Sequence, residues 1–155
     1  MKKSLLYLVY SIFFFSCSSN EPIEIKPGDK KCEYCLMGIV DMRFDAQIKT
    51  HKHKSYFFDS IECAVAWKIK NKNSVKKIWV TDYYKFNESI KKYIDGEKAY
   101  YLQSENRPSP MGAYLSSYKD NSLLQNAIEE TKGKSFDYLE VETYINTKWG
   151  YFNKK

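Results

Sequence analysis

Short apolar runs alternate with polar turns along this chain, and their spacing predicts both strands and helices. Runs rich in β-branched and aromatic residues indicate strands. In the first half, strands are predicted over Gly38–Asp41, Ala46–Lys52, Ser55–Phe58 and Val75–Thr81. Between the last two runs, apolar residues recur mainly on one face of a helix. They are Ile61, Ala64, Val65, Trp67 and Ile69. Asp59 or Ser60 can cap the start of this helix.

A similar order is predicted in the second half. Strands are predicted over Ala99–Gln103, Gly112–Tyr118 and Phe136–Val141. Asp120 caps a predicted helix that runs to Lys132 and ends at Gly133. Both halves thus have the order β-β-α-β. We expect an α+β fold in which two small, similar β-β-α-β units, roughly residues 32–85 and 95–145, pack together.

The connections between these elements carry turn signals. Residues 83–95 form a mixed connector in which a strand or a short helix is possible. Two prolines in Ser104–Pro110 exclude regular strand pairing, so this segment is predicted to be a loop. Met111 lies at the end of this loop.

The N-terminus has the pattern of an export signal. Lys2 and Lys3 precede an apolar run over residues 5–15 that is too short to span a bilayer. A serine and then Cys17 follow, which resembles the cleavage site of bacterial lipoproteins. We expect residues 1–16 to be a signal peptide, Cys17 to carry the lipid and residues 17–31 to be a flexible tether for the domain 32–155. Ordinary cleavage, with Cys17 incidental, is the alternative.

Composition narrows the function classes. The chain has 155 residues and a formal charge of +6, and its 17% aromatic content is ample for a core. Lysines are spread along the chain, and nucleic-acid binding is not expected because a secreted lipoprotein seldom meets nucleic acid. Attraction to anionic head groups or to acidic partners is the milder expectation. No Ser-His-Asp spacing, phosphate-cradling glycine loop or pair of catalytic acids emerges, so the sequence gives no positive support for hydrolysis or phosphoryl transfer.

The stretch Cys32-Glu33-Tyr34-Cys35-Leu36-Met37-Gly38 offers two thiols and one thioether within six residues. Soft sulfur donors select Cu(I). In an extended segment, Cys35 and Met37 would point to the same side and bind one metal ion. A structural zinc site is not indicated, because no second CxxC completes four cysteines.

Other sulfur and imidazole groups have more than one interpretation. Met111 is predicted as a third donor, and the alternative is an apolar anchor for its loop. Three interpretations of Cys32 stay open: it is a metal ligand, a disulfide partner of Cys35, or a residue with no role in the site. Cys63 is interpreted as a small buried hydrophobe. His51 and His53 lie among lysines and are interpreted as a solvated turn rather than as ligands.

Redox chemistry is the main alternative function. Cys32 and Cys35 form a CxxC pair of the kind used by thiol-disulfide proteins. The usual setting of such a pair is the start of a helix, whereas the residues after Gly38 are predicted to be extended. A structural lipoprotein whose sulfur atoms only pack is a further alternative.

Taken together, these fragments resemble the NosL family of copper-binding lipoproteins over roughly Cys32 to Glu142. The resemblance is carried by these fragments: Cys35-Leu36-Met37-Gly38, Ala46-Gln47-Ile48, Phe57-Phe58-Asp59-Ser60, Trp79-Val80-Thr81-Asp82-Tyr83 and Ser109-Pro110-Met111-Gly112. It implies a fold of two β-β-α-β units. It also implies that Cys35, Met37 and Met111 occupy the metal-site positions, whereas Cys32 is not a fixed feature of that site.

The resemblance also implies a role. It implies a monomeric carrier of one Cu(I), anchored to a membrane and facing the periplasm. Its client would be nitrous oxide reductase, reached through a membrane transporter complex that assembles the enzyme, or another copper protein.

Overall fold

The computed structural model describes residues 20–150. The predicted signal peptide and Cys17 lie outside these residues. The described chain is α+β, as predicted, with antiparallel sheets and α-helices in two β-β-α-β units. Among these residues, no helix combines the length and the apolar character needed to cross a membrane.

The first unit is built on a four-stranded antiparallel sheet. Its elements are β1 (Ala46–Thr50), β2 (Ser55–Phe58), α1 (Ile61–Lys70), β3 (Val75–Thr81) and β4 (Tyr93–Asp95). The strand order is β2-β1-β3-β4, so β1 and β3 are central. β1 ends two residues earlier than predicted, because residues 51–54 turn toward β2. β4 is the strand contained in the connector 83–95.

The second unit repeats the order on a smaller scale. Its elements are β5 (Tyr100–Gln103), β6 (Leu115–Tyr118), α2 (Asn121–Thr131) and β7 (Lys134–Phe136). They form a three-stranded antiparallel sheet in the order β6-β5-β7. The Asp120 side chain accepts a hydrogen bond from the Leu123 N–H at 3.0 Å, which caps α2 as predicted.

A seam joins the two units. Asp82, just after β3, forms a parallel bridge with Ser117 of β6, and the Ser117 Oγ donates to the Thr81 carbonyl at 2.7 Å. Tyr101 and Leu115 are fully buried in the same apolar cluster as side chains of β1, β2 and α1. The units therefore share a core.

The predicted strand Gly38–Asp41 is wrong. Gly38 makes one isolated antiparallel bridge, with Lys31. The Ile39 N–H donates to the Lys30 carbonyl at 2.9 Å. The Ile39 side chain is buried, which explains the apolar signal, but the segment pairs only with the residues that precede the CxxC. Neither segment continues into a sheet.

The predicted strand Phe136–Val141 is also wrong, because a helix, α3 (Tyr138–Lys148), begins where the strand was expected to continue. The Asp137 side chain accepts from the Glu140 N–H at 2.8 Å, and the Glu140 side chain accepts from the Asp137 N–H at 2.8 Å. This reciprocal pair is a capping box. It ends β7 at Phe136 and starts the helix, which then packs against α1.

The segment before the CxxC lies against the fold. Ile25 is buried in the main core. The Gln47 side chain of β1 pairs with the backbone of Ile23, accepting from its N–H at 2.9 Å and donating to its carbonyl at 2.6 Å. The folded part of the chain thus begins before Cys32, within the range predicted to be a tether.

Candidate metal centre

Three thiols and one carboxylate converge at the start of α1. The Sγ atoms of Cys32, Cys35 and Cys63 and a carboxylate oxygen of Asp59 all lie within 4.8 Å of one another. Cys32 and Cys63 are fully buried, Asp59 is nearly so, and Cys35 is partly exposed. All three cysteines are free thiols. We call this group the thiol cluster.

A tight turn places the first two thiols. The Cys32 N–H donates to the Met37 carbonyl at 2.8 Å, and the Leu36 N–H donates to the Cys32 carbonyl at 2.9 Å. Leu36 adopts a left-handed conformation with φ of 66°. The extended geometry predicted for Cys35 and Met37 is therefore wrong. A turn, rather than strand alternation, sets where these two side chains point.

The N-terminus of α1 supplies the third thiol. Cys63 is the third residue of the helix, and its N–H donates to the Ser60 Oγ at 3.3 Å. Cys63 is buried, as predicted, but its sulfur also belongs to the thiol cluster. Asp59 does not cap the helix. It accepts a hydrogen bond from the Cys35 Sγ at 3.3 Å instead.

Hydrogen bonding and burial separate the acidities of the three thiols. A hydrogen bond donated by Cys63 lowers the pKa of Cys32 to about 7, because it stabilises the thiolate. The same hydrogen bond, together with burial, raises the pKa of Cys63. Burial raises the pKa of Cys35 to about 12. Cys32 is therefore the thiol that ionises first.

The two predicted thioether donors lie on separate segments. Met37 follows the turn, and 45% of its surface is exposed to solvent. Met111 is partly buried and packs against the same core cluster as Cys35. It occupies the third position of a turn in which the Gly112 N–H donates to the Ser109 carbonyl at 3.0 Å. Pro110 at the second position suits such a turn.

Glu62 fastens the Met111 loop to α1. The Ser109 Oγ donates to Glu62 Oε1, and the Ala113 N–H reaches the same oxygen at 3.4 Å. Burial raises the pKa of Glu62 to about 7. Its Oε2 atom has no hydrogen-bond partner among the described residues. The loop that carries Met111 is therefore attached to the first turn of α1, the turn that also contains Cys63.

Other predicted positions lie away from the cluster. His51 and His53 are exposed in the turn between β1 and β2, as predicted.

Sequence reasoning missed the contributions of Cys63, Asp59 and Glu62 to this region. The Asp59-Ser60 cap signal was available, because it places Cys63 in the first turn of α1. What the sequence lacked was the tertiary contact that brings this turn against the CxxC. The assembled site offers sulfur donors that differ in their exposure to solvent. Sulfur is a soft donor and suits a soft metal ion.

Comparisons with known proteins agree with this architecture. The family model described as NosL matches residues 22–145. The crystal structure of the copper chaperone NosL from Shewanella denitrificans has a similar fold, with a TM-score of 0.66 at 18% sequence identity. The alignment covers 79% of this chain and 96% of that chain. No curated protein matches the sequence significantly. Since the family model spans well over half of its residues, the chain belongs to the NosL family.

Proposed function

We propose that this protein is an extracytoplasmic Cu(I) carrier, anchored to a membrane through a lipid on Cys17 and facing the periplasm. The observation that carries the proposal is the convergence of three free thiols at one point of the fold. Membership of the NosL family supports it, as does the fold shared with a copper chaperone.

Cys35 is the central ligand in this proposal. It is the thiol of the cluster that is partly exposed, so an incoming ion meets it first. Met37 and Met111 add neutral thioether sulfur, which binds Cu(I) without deprotonation and at any pH. Such ligands suit a carrier, because a site that must release its cargo gains from donors that carry no charge.

The client follows from the family alone. We propose delivery to nitrous oxide reductase during maturation, through a membrane transporter complex, with another copper protein as the alternative client. A carrier needs no catalytic group, and the proposed role is not enzymatic.

The test is an anaerobic Cu(I) titration of the reduced, full-length protein in mild detergent against a chromophoric cuprous chelator. We expect one equivalent to be retained by the wild type and lost in Cys35→Ser. Leu36→Ala is the matched control, because Leu36 lies between Cys35 and Met37, is 73% exposed and offers no donor atom. Equal retention in Cys35→Ser would refute the assignment of Cys35, and no retention in the wild type would refute the carrier.

Thiol-disulfide exchange through Cys32 and Cys35 is the second candidate. The lowered pKa of Cys32 favours it, because the thiolate is the attacking species. Burial opposes it, since Cys32 is fully enclosed and a disulfide substrate must reach the sulfur. The more exposed Cys35 has a raised pKa. Turnover of a small disulfide by the wild type, lost in Cys32→Ser, would favour exchange over copper carriage.

A further inference from the structure

The sulfur donors of this region fall into two sets that differ in burial. Cys32 and Cys63 have no exposed surface. Met37 is 45% exposed. Cys35 is intermediate in exposure. An ion bound with Cys32 and Cys63 would be enclosed, whereas one bound with Met37 would face solvent.

The spacing of the thiols suits a single ion. Metal–thiolate bonds are about 2.3 Å long, so two sulfur atoms on one ion lie at most about 4.6 Å apart. The three Sγ atoms already lie within 4.8 Å of one another. They come from two elements that are held firmly, the 32–37 turn by backbone hydrogen bonds and α1 by its Ser60 cap. Little rearrangement is needed to bring them onto one metal.

The surroundings favour a soft ion with few ligands. Cys32 and Cys63 belong to the main apolar cluster, beside Ile39 and Ile61. The ligands available there are the three sulfur atoms and a carboxylate oxygen of Asp59, and of these a soft ion prefers the sulfur atoms. A thiolate also attracts a cation by charge, which a thioether does not, and this attraction is stronger in an apolar interior.

We propose that the pocket has two overlapping Cu(I) positions that share Cys35: an inner position with Cys32 and Cys63, and an outer position with Met37 and Met111. This inference rests on the proposed function and adds Cys63 to the metal ligands. Copper rests in the inner position and leaves through the outer one.

The transfer between positions is a ligand exchange with no change of oxidation state. The bonds from copper to Cys32 and Cys63 break while bonds to Met37 and Met111 form, and Cys35 stays bound throughout. The charge lost by the released thiolates is balanced by protons taken up from solvent. Because one ligand is kept, the ion never leaves the protein during the step.

X-ray absorption at the copper edge tests this directly when the methionines are replaced by selenomethionine. At one equivalent of Cu(I), the full-length wild type should show sulfur scattering without a selenium neighbour. In Cys63→Ala, copper should move outward, so that a Cu–Se contribution appears and the affinity falls by about tenfold or more. Val65→Ala is the matched control, since it truncates another fully buried side chain of α1 without removing sulfur.

The possible results separate the two levels of the proposal. A strong Cu–Se contribution in the wild type that Cys63→Ala leaves unchanged would overturn the inner position and leave the carrier intact. Failure of the wild type to retain Cu(I) would overturn both. The wild-type spectrum decides the matter even if Cys63→Ala folds poorly.

Discussion

Ionisation differs among Cys32, Cys35 and Cys63 although they share one pocket. Cys32 has a pKa of about 7 and Cys35 one of about 12, because the first accepts a hydrogen bond and the second is desolvated. The thiolate is the form that binds metal, so protons compete with copper at each sulfur. The pH profile of binding therefore identifies which thiols are ligands.

We predict a break in the pH dependence of Cu(I) affinity near pH 7. Above this value Cys32 has already lost its proton, and copper does not need to displace it. Below it, Cys32 binds one more proton in the free protein, so affinity should fall by about a further tenfold for each pH unit.

Competition titrations from about pH 5.5 to 9 measure this profile. Cys32→Ser should remove the break while keeping the slope seen at higher pH. A wild-type profile with the same slope on both sides of pH 7 would argue against Cys32 as a ligand.

At this scale the sequence revealed members of the thiol cluster only where they are neighbours in the chain. Cys32 and Cys35 were found because only two residues separate them. Cys63 and Asp59 were interpreted as packing and turn or cap residues, because nothing in a single sequence shows that the start of α1 meets the CxxC turn. Glu62 was missed for the same reason, since its partner Ser109 lies in the other unit.

Among the secondary-structure elements, the predicted bounds are correct where turn or capping residues mark both ends of the apolar pattern. The bounds of β2 and β3 match the prediction, because turns and the α1 cap delimit both strands. The strand predicted over Gly38–Asp41 is absent because an apolar pattern identifies buried side chains but does not show whether a partner strand lies next to them. The strand predicted over Phe136–Val141 is absent because Asp137 and Glu140 form a helix capping box within this apolar run.

The capping box gives a stability prediction. Asp137→Ala removes the acceptor of the Glu140 N–H and should lower the free energy of unfolding by about 1 kcal/mol. Urea denaturation followed by circular dichroism measures the change. Asp137→Asn should retain most of the stability, because asparagine caps helices about as well. Equal losses in the two variants would show that charge, rather than capping, matters at this position.

For the molecule as a whole, the shared core should make the two units unfold together. Leu115 of β6 is fully buried in the cluster that holds the first unit's sheet and α1. Leu115→Ala should cost about 2–5 kcal/mol, the usual range for truncating a buried leucine. It should lower the urea midpoint measured by tryptophan fluorescence, which reports on Trp67 and Trp79 of the first unit and on Trp149 after α3.

Leu139→Ala is the control for this experiment, because Leu139 is 70% exposed and its truncation should change stability little. Circular dichroism and fluorescence transitions should coincide in both variants. An unchanged fluorescence midpoint in Leu115→Ala would mean that the units are independent.

The repeated β-β-α-β order could be predicted from the sequence, but the shared core could not. Each unit's order follows from local periodicity. The contact of Tyr101 and Leu115 with the first unit, and the Ser117–Thr81 seam, depend on how the second sheet docks. Docking is a long-range property that one sequence does not show.

Tyr34 lies between the two CxxC cysteines, and its ring stacks on Trp149 just after α3, with ring centroids 6.0 Å apart. The stack joins the CxxC turn to the C-terminal end of α3, two segments near opposite ends of the described chain. We expect a metal ion that restrains Cys35 to restrain its neighbour Tyr34 as well, and through the stack Trp149. Binding of the proposed copper ion should therefore also order the C-terminal end of α3, a helix that contributes no residue to the thiol cluster.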